Sequence, residues 1–332
     1  MRITMLGSGA WGTALANLLC ENGHTVTLWN RSSARAAEMA ETRINPRLAG
    51  VALHPELTVT HEPSCVRDSQ MVVFATPSFA IRQTAVQVRP YLREDAVMVS
   101  VTKGIEAEIG LRMTEILTRE TGRIAAALSG PSHAEEVSRG IPTGCVAACE
   151  DVSVAELVQE VFMNESFRVY ASCDVVGVEL SAAMKNVIAL CAGVSDGLGL
   201  GDNSKALLVT RGLTELARLG IALGGRQETF AGLAGVGDMI VTCTSMHSRN
   251  RRAGILIGQG VPVEQAMEQV GAVVEGYYAA RSAYQLSQRA GVEMPICQQA
   301  YAVLYQGSSP AESIRKLMGR SKKHEFEEAA WV

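Results

Sequence analysis

Residues 2–30 constrain the fold more than any other stretch. RITML (2–6) is a short apolar run that stops at Gly7, and Gly7, Gly9 and Gly12 follow in the GxGxxG spacing. TALANLLCENGH then places Leu15, Leu18 and Leu19 at helical spacing with Gly23 as a stop, and TVTLWN (25–30) reads as a second strand. Strand, glycine turn, helix and strand in this order are the context that gives a dinucleotide fingerprint its meaning. Gly7 permits the tight turn, Gly9 lets backbone approach a pyrophosphate, and Gly12 lets helix pack on strand. The helix N-terminus adds free amides and the positive end of its dipole.

The end of the second strand bears on which dinucleotide is held. A site selective for NAD places Asp or Glu there for the ribose 2′-hydroxyl, whereas this chain has Asn30 and Arg31. A guanidinium suits a 2′-phosphate, so NADPH is expected to bind at least as well as NADH, unless Arg31 only solvates the turn.

The β–α alternation continues through QMVVFAT (70–76) before Pro77, AVMVSVTKG (96–104) and IAAALSGPS (124–132). These runs are apolar throughout, as parallel strands covered on both faces are. Ligands of open parallel sheets sit beyond the carboxyl ends of the strands, which puts Pro77, Lys103, Gly130 and Ser132 along one crevice. Lys103 also reads as a solvated loop lysine, and Ser132, with Glu135 three residues on, as the N-cap of a capping box. TGCVAAC (143–149), a helix near 154–162 and SFRVYA (166–171) close this half.

Strand signals then nearly vanish. At 332 residues the chain is long for one core. The expected fold class is an α/β N-terminal Rossmann-type doubly wound domain with a mainly parallel sheet (1–178), followed by an all-α C-terminal domain (179–332). Helices are expected at 203–222, 228–242, 251–258, 262–269, 274–290, 296–305 and 309–318, and the charged tail from Arg320 to Glu328 is expected to be mobile.

LSAAMKNVIALCAGVSDGLGLGDN joins the halves and sets Lys185 and Asn186 in an almost wholly apolar run. A helix apolar on nearly every side is buried, and a lysine is almost never fully buried without a partner. Lys185 is therefore either an ion-paired lysine at the helix edge or part of a site. Gly193, Gly197, Gly199 and Gly201 are expected to end this helix in backbone that turns freely or is closely approached. In AGVGDMIVTCTSMHSRNRR (234–252), Asp238 lies among apolar residues and needs a cation, for which Lys185 is the candidate. The basic run Arg249, Arg251 and Arg252 is a solvated helix start or a local anion site.

A net charge of -4 gives no general attraction to nucleic acid or an acidic membrane, so any anion must be held locally. Eight cysteines scattered without a CxxC pair read as reduced core residues of a cytoplasmic protein. No Cys/His cluster has metal-ligand spacing, and no metal is expected. A strand beginning at Arg2 leaves no room for a signal peptide, and no apolar run is read as long enough to span a membrane.

Taken together, GSGAWGTALA, VTKGIEAE, LSGPSHAEE, SFRVY, AAMKNVIALCAGVSDGLGLGDNSKA, GLAGVGDMIVTCTSMHSRNRRAG and VVEGYYAA closely resemble, in order and along essentially the whole chain, the bacterial NAD(P)-dependent sn-glycerol-3-phosphate dehydrogenases. The resemblance implies interconversion of dihydroxyacetone phosphate and sn-glycerol 3-phosphate, supplying glycerol phosphate for phospholipids, by a cytoplasmic homodimer without stable membrane insertion. It implies that Lys185 is the general acid/base, with Lys103 and Asp238 completing the polar site. It further implies substrate contacts at Gly130, Ser132, Ser248, Arg249 and Asn250, and cofactor contacts at Ala10, Trp11, Arg31, Ala134, Arg249, Val273 and Glu275, beside the Gly7–Gly12 turn, Pro77 and Lys103. Ala10 departs from relatives that carry Ser there, which leaves backbone amides to serve the pyrophosphate. Two competing readings are a related two-domain dehydrogenase acting on ketopantoate or a hydroxy acid, and a dinucleotide sensor without turnover. The basic SRNRR segment argues against the first, and the presence of Lys185 and Asp238 against the second.

Overall fold

The structure, a computed structural model, describes residues 1–106, 109–322 and 324–325. Part of the tail expected to be mobile, residues 323 and 326–328, lies outside the described residues. The first half alternates β1 (Arg2–Leu6), α1 (Ala10–Glu21), β2 (Thr25–Trp29), α2 (Ser33–Thr42), β3 (Thr58–Thr60), β4 (Met71–Phe74), α3 (Ile81–Val88), β5 (Val97–Ser100), α4 (Met113–Thr121), β6 (Ala125–Ser129), α5 (Ala134–Val137), β7 (Thr143–Ala148), α6 (Val152–Phe162) and β8 (Phe167–Ser172). The strands form one sheet in the order β3-β2-β1-β4-β5-β6-β7-β8. β1 lies between β2 and β4, so the strand order reverses there and opens a crevice beyond Leu6 and Phe74. Every residue of β4, β5 and β6 is buried, the signature of strands covered on both faces.

The sheet is parallel as far as β6, and β7 runs antiparallel to it. The helix between them, α5, is a single turn of 4 residues. One turn rises about 5–6 Å, too little to carry the chain back along a strand. The 11-residue α6 is long enough, and β8 returns parallel to β7. β3 and α2 escape the sequence reading: β3 is only 3 residues at the sheet edge, and α2 buries only Ala36 and Met39.

The second half is built on α7 (Val175–Gly197), followed by α8 (Asp202–Ala222), α9 (Gln227–Ala231), α10 (Asp238–Thr244), α11 (Arg249–Gly258), α12 (Val263–Val270), α13 (Glu275–Ala290), α14 (Pro295–Gln306) and α15 (Pro310–Met318). At 23 residues and a hydropathy of 1.6, α7 is long and apolar enough to cross a membrane, contrary to the sequence expectation; 89% of that stretch is buried inside the protein. Asp174 caps it, accepting from the Gly177 amide at 2.9 Å and, through its other oxygen, from the Arg226 amide and the Thr229 hydroxyl. Val175 and Val178 pack with Ala127 and Ala148 of the sheet, while Ala183 to Ala192 pack with α8, α10, α11 and α13. The boundary expected at 178/179 therefore falls inside a helix that belongs to both layers.

Further sequence expectations are corrected by the structure. The helix expected over 228–242 is broken: α9 ends before Gly232, a π-helical turn covers Leu233–Gly237, and α10 starts at Asp238. A Cβ at Gly235 would lie 2.0 Å from the Phe230 carbonyl oxygen, so only glycine fits this crowded backbone. Not all cysteines are core residues, since Cys173 is exposed and Cys65 and Cys191 are partly so.

Gly193 and Gly197 do not end α7. They lie within it and let α11 approach to backbone contact: a Cβ at Gly193 would meet the Arg251 carbonyl oxygen at 2.0 Å, and one at Gly197 the Ile255 oxygen at 2.2 Å. The contact is reciprocal: a Cβ at Gly254 would lie 2.0 Å from the Leu190 oxygen and one at Gly258 2.4 Å from that of Val194. Asp196 ties the same seam to Arg251 and Lys205 at 2.8 and 2.7 Å. Gly254→Ala puts a methyl against rigid backbone and must part the helices. The expected cost is about 1–3 kcal/mol or more, read from urea unfolding. Unchanged stability would show that these glycines do not set the helix spacing.

Candidate active site

The glycine turn has the geometry its spacing predicts. Gly7 has φ +115, and a Cβ there would stand 2.7 Å from the Ala75 carbonyl oxygen at the end of β4; one at Gly12 would stand 2.0 Å from the Gly7 oxygen. Both positions are closed to any side chain. Gly9, the N-cap of α1, faces open space instead, with nothing within 4 Å of a Cβ, and no side chain caps the helix. The first-turn amides at Ala10 and Trp11 are thus left for a ligand, which suits a pyrophosphate. The Trp11 indole nitrogen and the Thr76 hydroxyl, both buried in the crevice wall, also lack partners. These features fit a dinucleotide. Ala134 is buried in a small cluster with Ala14 and Leu48, against which Ala10 and Trp11 pack.

Asn30 at the end of β2 is tied down: its amide nitrogen donates to Ser8 Oγ at 2.6 Å, and its oxygen accepts from the Ser32 amide at 2.8 Å. Arg31, between Asn30 and the N-cap Ser32, is exposed.

Across the crevice, α7, α10 and the loops after β5 and β6 converge on one carboxylate. Asp238 is 1% exposed and Lys185 4%. Lys185 Nζ donates to Asp238 Oδ1 and, at 2.6 Å, to Thr242 Oγ1, one helical turn beyond Asp238. Lys103 Nζ donates to Asp238 Oδ2 at 2.8 Å and to the Gly130 carbonyl at 2.9 Å. One carboxylate thus holds two ammonium groups, one on each oxygen. Burial pushes Lys185 down to about 8; Asp238 opposes that shift, and Lys103 adds to it. Burial raises Asp238, but the two lysines outweigh it and hold the carboxyl below its ordinary value. The reading of Lys103 as a solvated loop lysine is therefore replaced by a partly buried lysine paired with a buried carboxylate. Asp238 starts α10 at the π-helical turn, a distortion found often at functional sites.

Ser132 is not the N-cap expected from the sequence. That place belongs to His133, and Ser132 Oγ donates to the Gly130 carbonyl at 3.0 Å, the oxygen that Lys103 also uses. Gly130 has φ +156, with a Cβ position 2.8 Å from Gly144 O and Cys145 Cα, so glycine is required. His133 brings a ring nitrogen without a partner to this mouth, 5.8 Å ring to ring from His247. Burial, then Lys185 and Lys103, keep its imidazole below the ordinary value.

Ser248 caps α11 by accepting from the Arg251 amide, and Arg249 at the first helical position is exposed. Arg251 is committed to Asp196, which leaves Arg249 and Arg252 as the exposed members of the basic run. Asn250, 8% exposed, donates to Asn186 Oδ1 at 2.9 Å and accepts from the Gly276 amide at 2.8 Å. Glu275 accepts from Ser78, and Val273 lies two residues before it, partly buried. The structure thus gathers Lys103, Gly130, Ser132, Lys185 and Asp238 in one cluster, with Ser248, Arg249 and Asn250 on the helix start beside it. Sequence reasoning missed Thr242, Ser78 and His133, and it singled out Asn186 without giving it a role. Only Thr242 carried a signal, as the hydroxyl i+4 from a buried aspartate on the same helix.

Residues 2–155 match the family model of the NAD-dependent glycerol-3-phosphate dehydrogenase N-terminus, and residues 174–315 match that of the C-terminus. The chain is 51% identical over 335 residues to a Pelotomaculum thermopropionicum glycerol-3-phosphate dehydrogenase (NAD(P)+), covering 99% of this chain and 96% of the relative. A Thermoanaerobacter protein of the same name is 49% identical over 327 residues, 98% and 99% of the two chains. The crystal structure of glycerol-3-phosphate dehydrogenase from Coxiella burnetii superposes with a TM-score of 0.93 at 35% identity, over 96% of this chain and 99% of that one. A ketopantoate reductase from Ralstonia eutropha, at 17% identity and a TM-score of 0.61 over 95% and 100% of the chains, shares the fold alone. With both halves matched in order and relatives near half identical along their full lengths, the chain belongs to the NAD-dependent glycerol-3-phosphate dehydrogenase family.

Proposed function

We propose that this protein is an NAD(P)-dependent oxidoreductase that interconverts dihydroxyacetone phosphate and sn-glycerol 3-phosphate and so supplies glycerol phosphate for phospholipid synthesis. The observation that carries the reading is Asp238 bridging Lys185 and Lys103 at the carboxyl ends of the strands, opposite the glycine turn. When bound, the reduced nicotinamide supplies a hydride to the carbonyl carbon. As negative charge grows on the carbonyl oxygen, the Lys185 ammonium stabilises it and donates the proton. Asp238 and Thr242 hold Lys185 Nζ, and Asp238 with the Gly130 carbonyl holds Lys103, so neither ammonium reorganises when the charge appears. Arg249 and the start of α11, with Ser248 and Asn250, suit the substrate phosphate, whose binding energy positions the distant carbonyl. Gly130 and Ser132 line the same mouth. Ala10, Trp11, Arg31, Pro77, Ala134, Val273 and Glu275 are the proposed cofactor contacts.

A reducing cytoplasm fits the unpaired cysteines. A homodimer fits the apolar Leu207 and Ile221 exposed on α8.

Three outcomes test this reading. Lys185→Ala should lower kcat by about two to four orders of magnitude while NADPH still binds, measured by absorbance decay and fluorescence titration; preserved turnover removes Lys185 from the chemistry. Because the ammonium form is the acid, the reductive kcat/KM should fall about tenfold per pH unit above about 8, while the oxidative kcat/KM, which needs the neutral amine as base, should rise up to about 8 and level off above it. A flat reductive profile from pH 7 to 10 would contradict the assignment. Arg31→Asp should weaken NADPH about tenfold or more and favour NADH; unchanged affinities would leave Arg31 as a solvated turn residue.

A further inference from the structure

Ser78 is buried just beyond the end of β4, and its partner lies 197 residues away. Its amide donates to Glu275 Oε1 at 3.2 Å and its hydroxyl to Oε2 at 2.6 Å, so a single serine engages both oxygens of the carboxylate. The next residue repeats the contact with apolar surface: the Phe79 ring lies 5.5 Å from that of Tyr278, one turn along α13. From the same turn the Gly276 amide donates to Asn250 Oδ1, and Asn250 donates to Asn186, the residue after Lys185. Space for Ser78 is reserved by Gly104, the residue after Lys103. A Cβ there would lie 2.4 Å from Ser78 Cβ and 3.7 Å from the Glu275 carboxylate. The sequence neighbours of both site lysines therefore touch this path, one at each end.

We propose that Ser78 is a positioning residue for hydride transfer: by gripping Glu275 it sets the crevice beyond β1 and β4 against the helix that carries Lys185. The proposal rests on the dehydrogenase reading above. Hydride transfer tolerates little misplacement, and a shift of about 1 Å costs up to about a hundredfold in rate. Removing one hydroxyl leaves the apolar cores of both halves intact, so the effect should fall on registration and not on folding.

The test combines kinetics with hydrogen exchange of the ligand-free protein. Ser78→Ala should lower kcat about tenfold or more, with KM for dihydroxyacetone phosphate within about twofold of wild type. Amide exchange over residues 274–279 should speed up without ligand while the urea midpoint stays put. In a Glu275→Gln background the serine replacement should add little further loss, because the two residues act through one contact. A wild-type kcat, unaltered exchange, or fully additive losses would overturn the proposal, as would a rate loss matched by global destabilisation. If wild-type enzyme itself fails to turn over dihydroxyacetone phosphate, the substrate reading falls and the proposal with it; failure of the Ser78 proposal alone leaves wild-type turnover intact.

Discussion

The contact on which the rest of this structure depends is the buried carboxylate of Asp238 held between two ammonium groups, that of Lys185 buried and that of Lys103 partly so. Each ion alone would be strongly disfavoured there, and removing one partner of a buried pair typically costs about 3–5 kcal/mol because the other is left uncompensated. Lys185 comes from the central helix of the second half, Lys103 from a strand end of the first, and Asp238 from a short helix behind a π-helical turn. The arrangement forms only when sheet, α7 and α10 are all in place, so the site and the packing of the two halves stand or fall together. A hydrophobic trio would hold the halves together at least as well, and the retention of three charges points to chemistry.

Glycine packing makes that arrangement possible. Gly193, Gly197, Gly254 and Gly258 bring α11 against α7 at backbone distance, and Ser248, Arg249 and Asn250 therefore stand beside the turn of α7 that carries Lys185. Any bulkier seam would lift the start of α11 from the lysine. On the opposite side of the crevice, Gly7 and Gly12 pull α1 onto the sheet so that its uncapped first turn faces the space beyond β1 and β4. Close approach of backbone defines both walls.

Much of this was legible in the chain, and the reasons are local. The first strand, glycine turn and helix are short-range features fixed by spacing, and parallel strands announce themselves as unbroken apolar runs. A charge inside an apolar segment has to find a partner, which is why Lys185 and Asp238 pointed to each other across 53 residues. Long-range geometry was not legible. A glycine inside a helix reads as a terminator, yet Gly193 and Gly197 are contact points. The break at Gly232 to Gly237 interrupts a helical pattern that is otherwise unbroken in polarity. Ser132 looked like a cap because its spacing to Glu135 is right, but the chain turns one residue later and frees its hydroxyl for the Gly130 carbonyl. Ser78 carried no signal at all, and Glu275 was singled out only by the family resemblance, as a cofactor contact, with nothing to show that the two residues meet.

The charge count of the site bears on the kind of substrate it suits. Two ammonium groups and one carboxylate leave an excess of one positive charge beneath the crevice, and burial, which already depresses Lys185 to about 8, makes that excess unfavourable in the empty protein. A neutral ketone alone would not relieve it. On the proposed reading, a substrate that brought a phosphate to Arg249 and placed its carbonyl oxygen over Lys185 would supply negative potential at both points, and the developing oxyanion would supply more as the reaction proceeds. On that reading, binding and catalysis draw on the same excess of positive charge beneath the crevice.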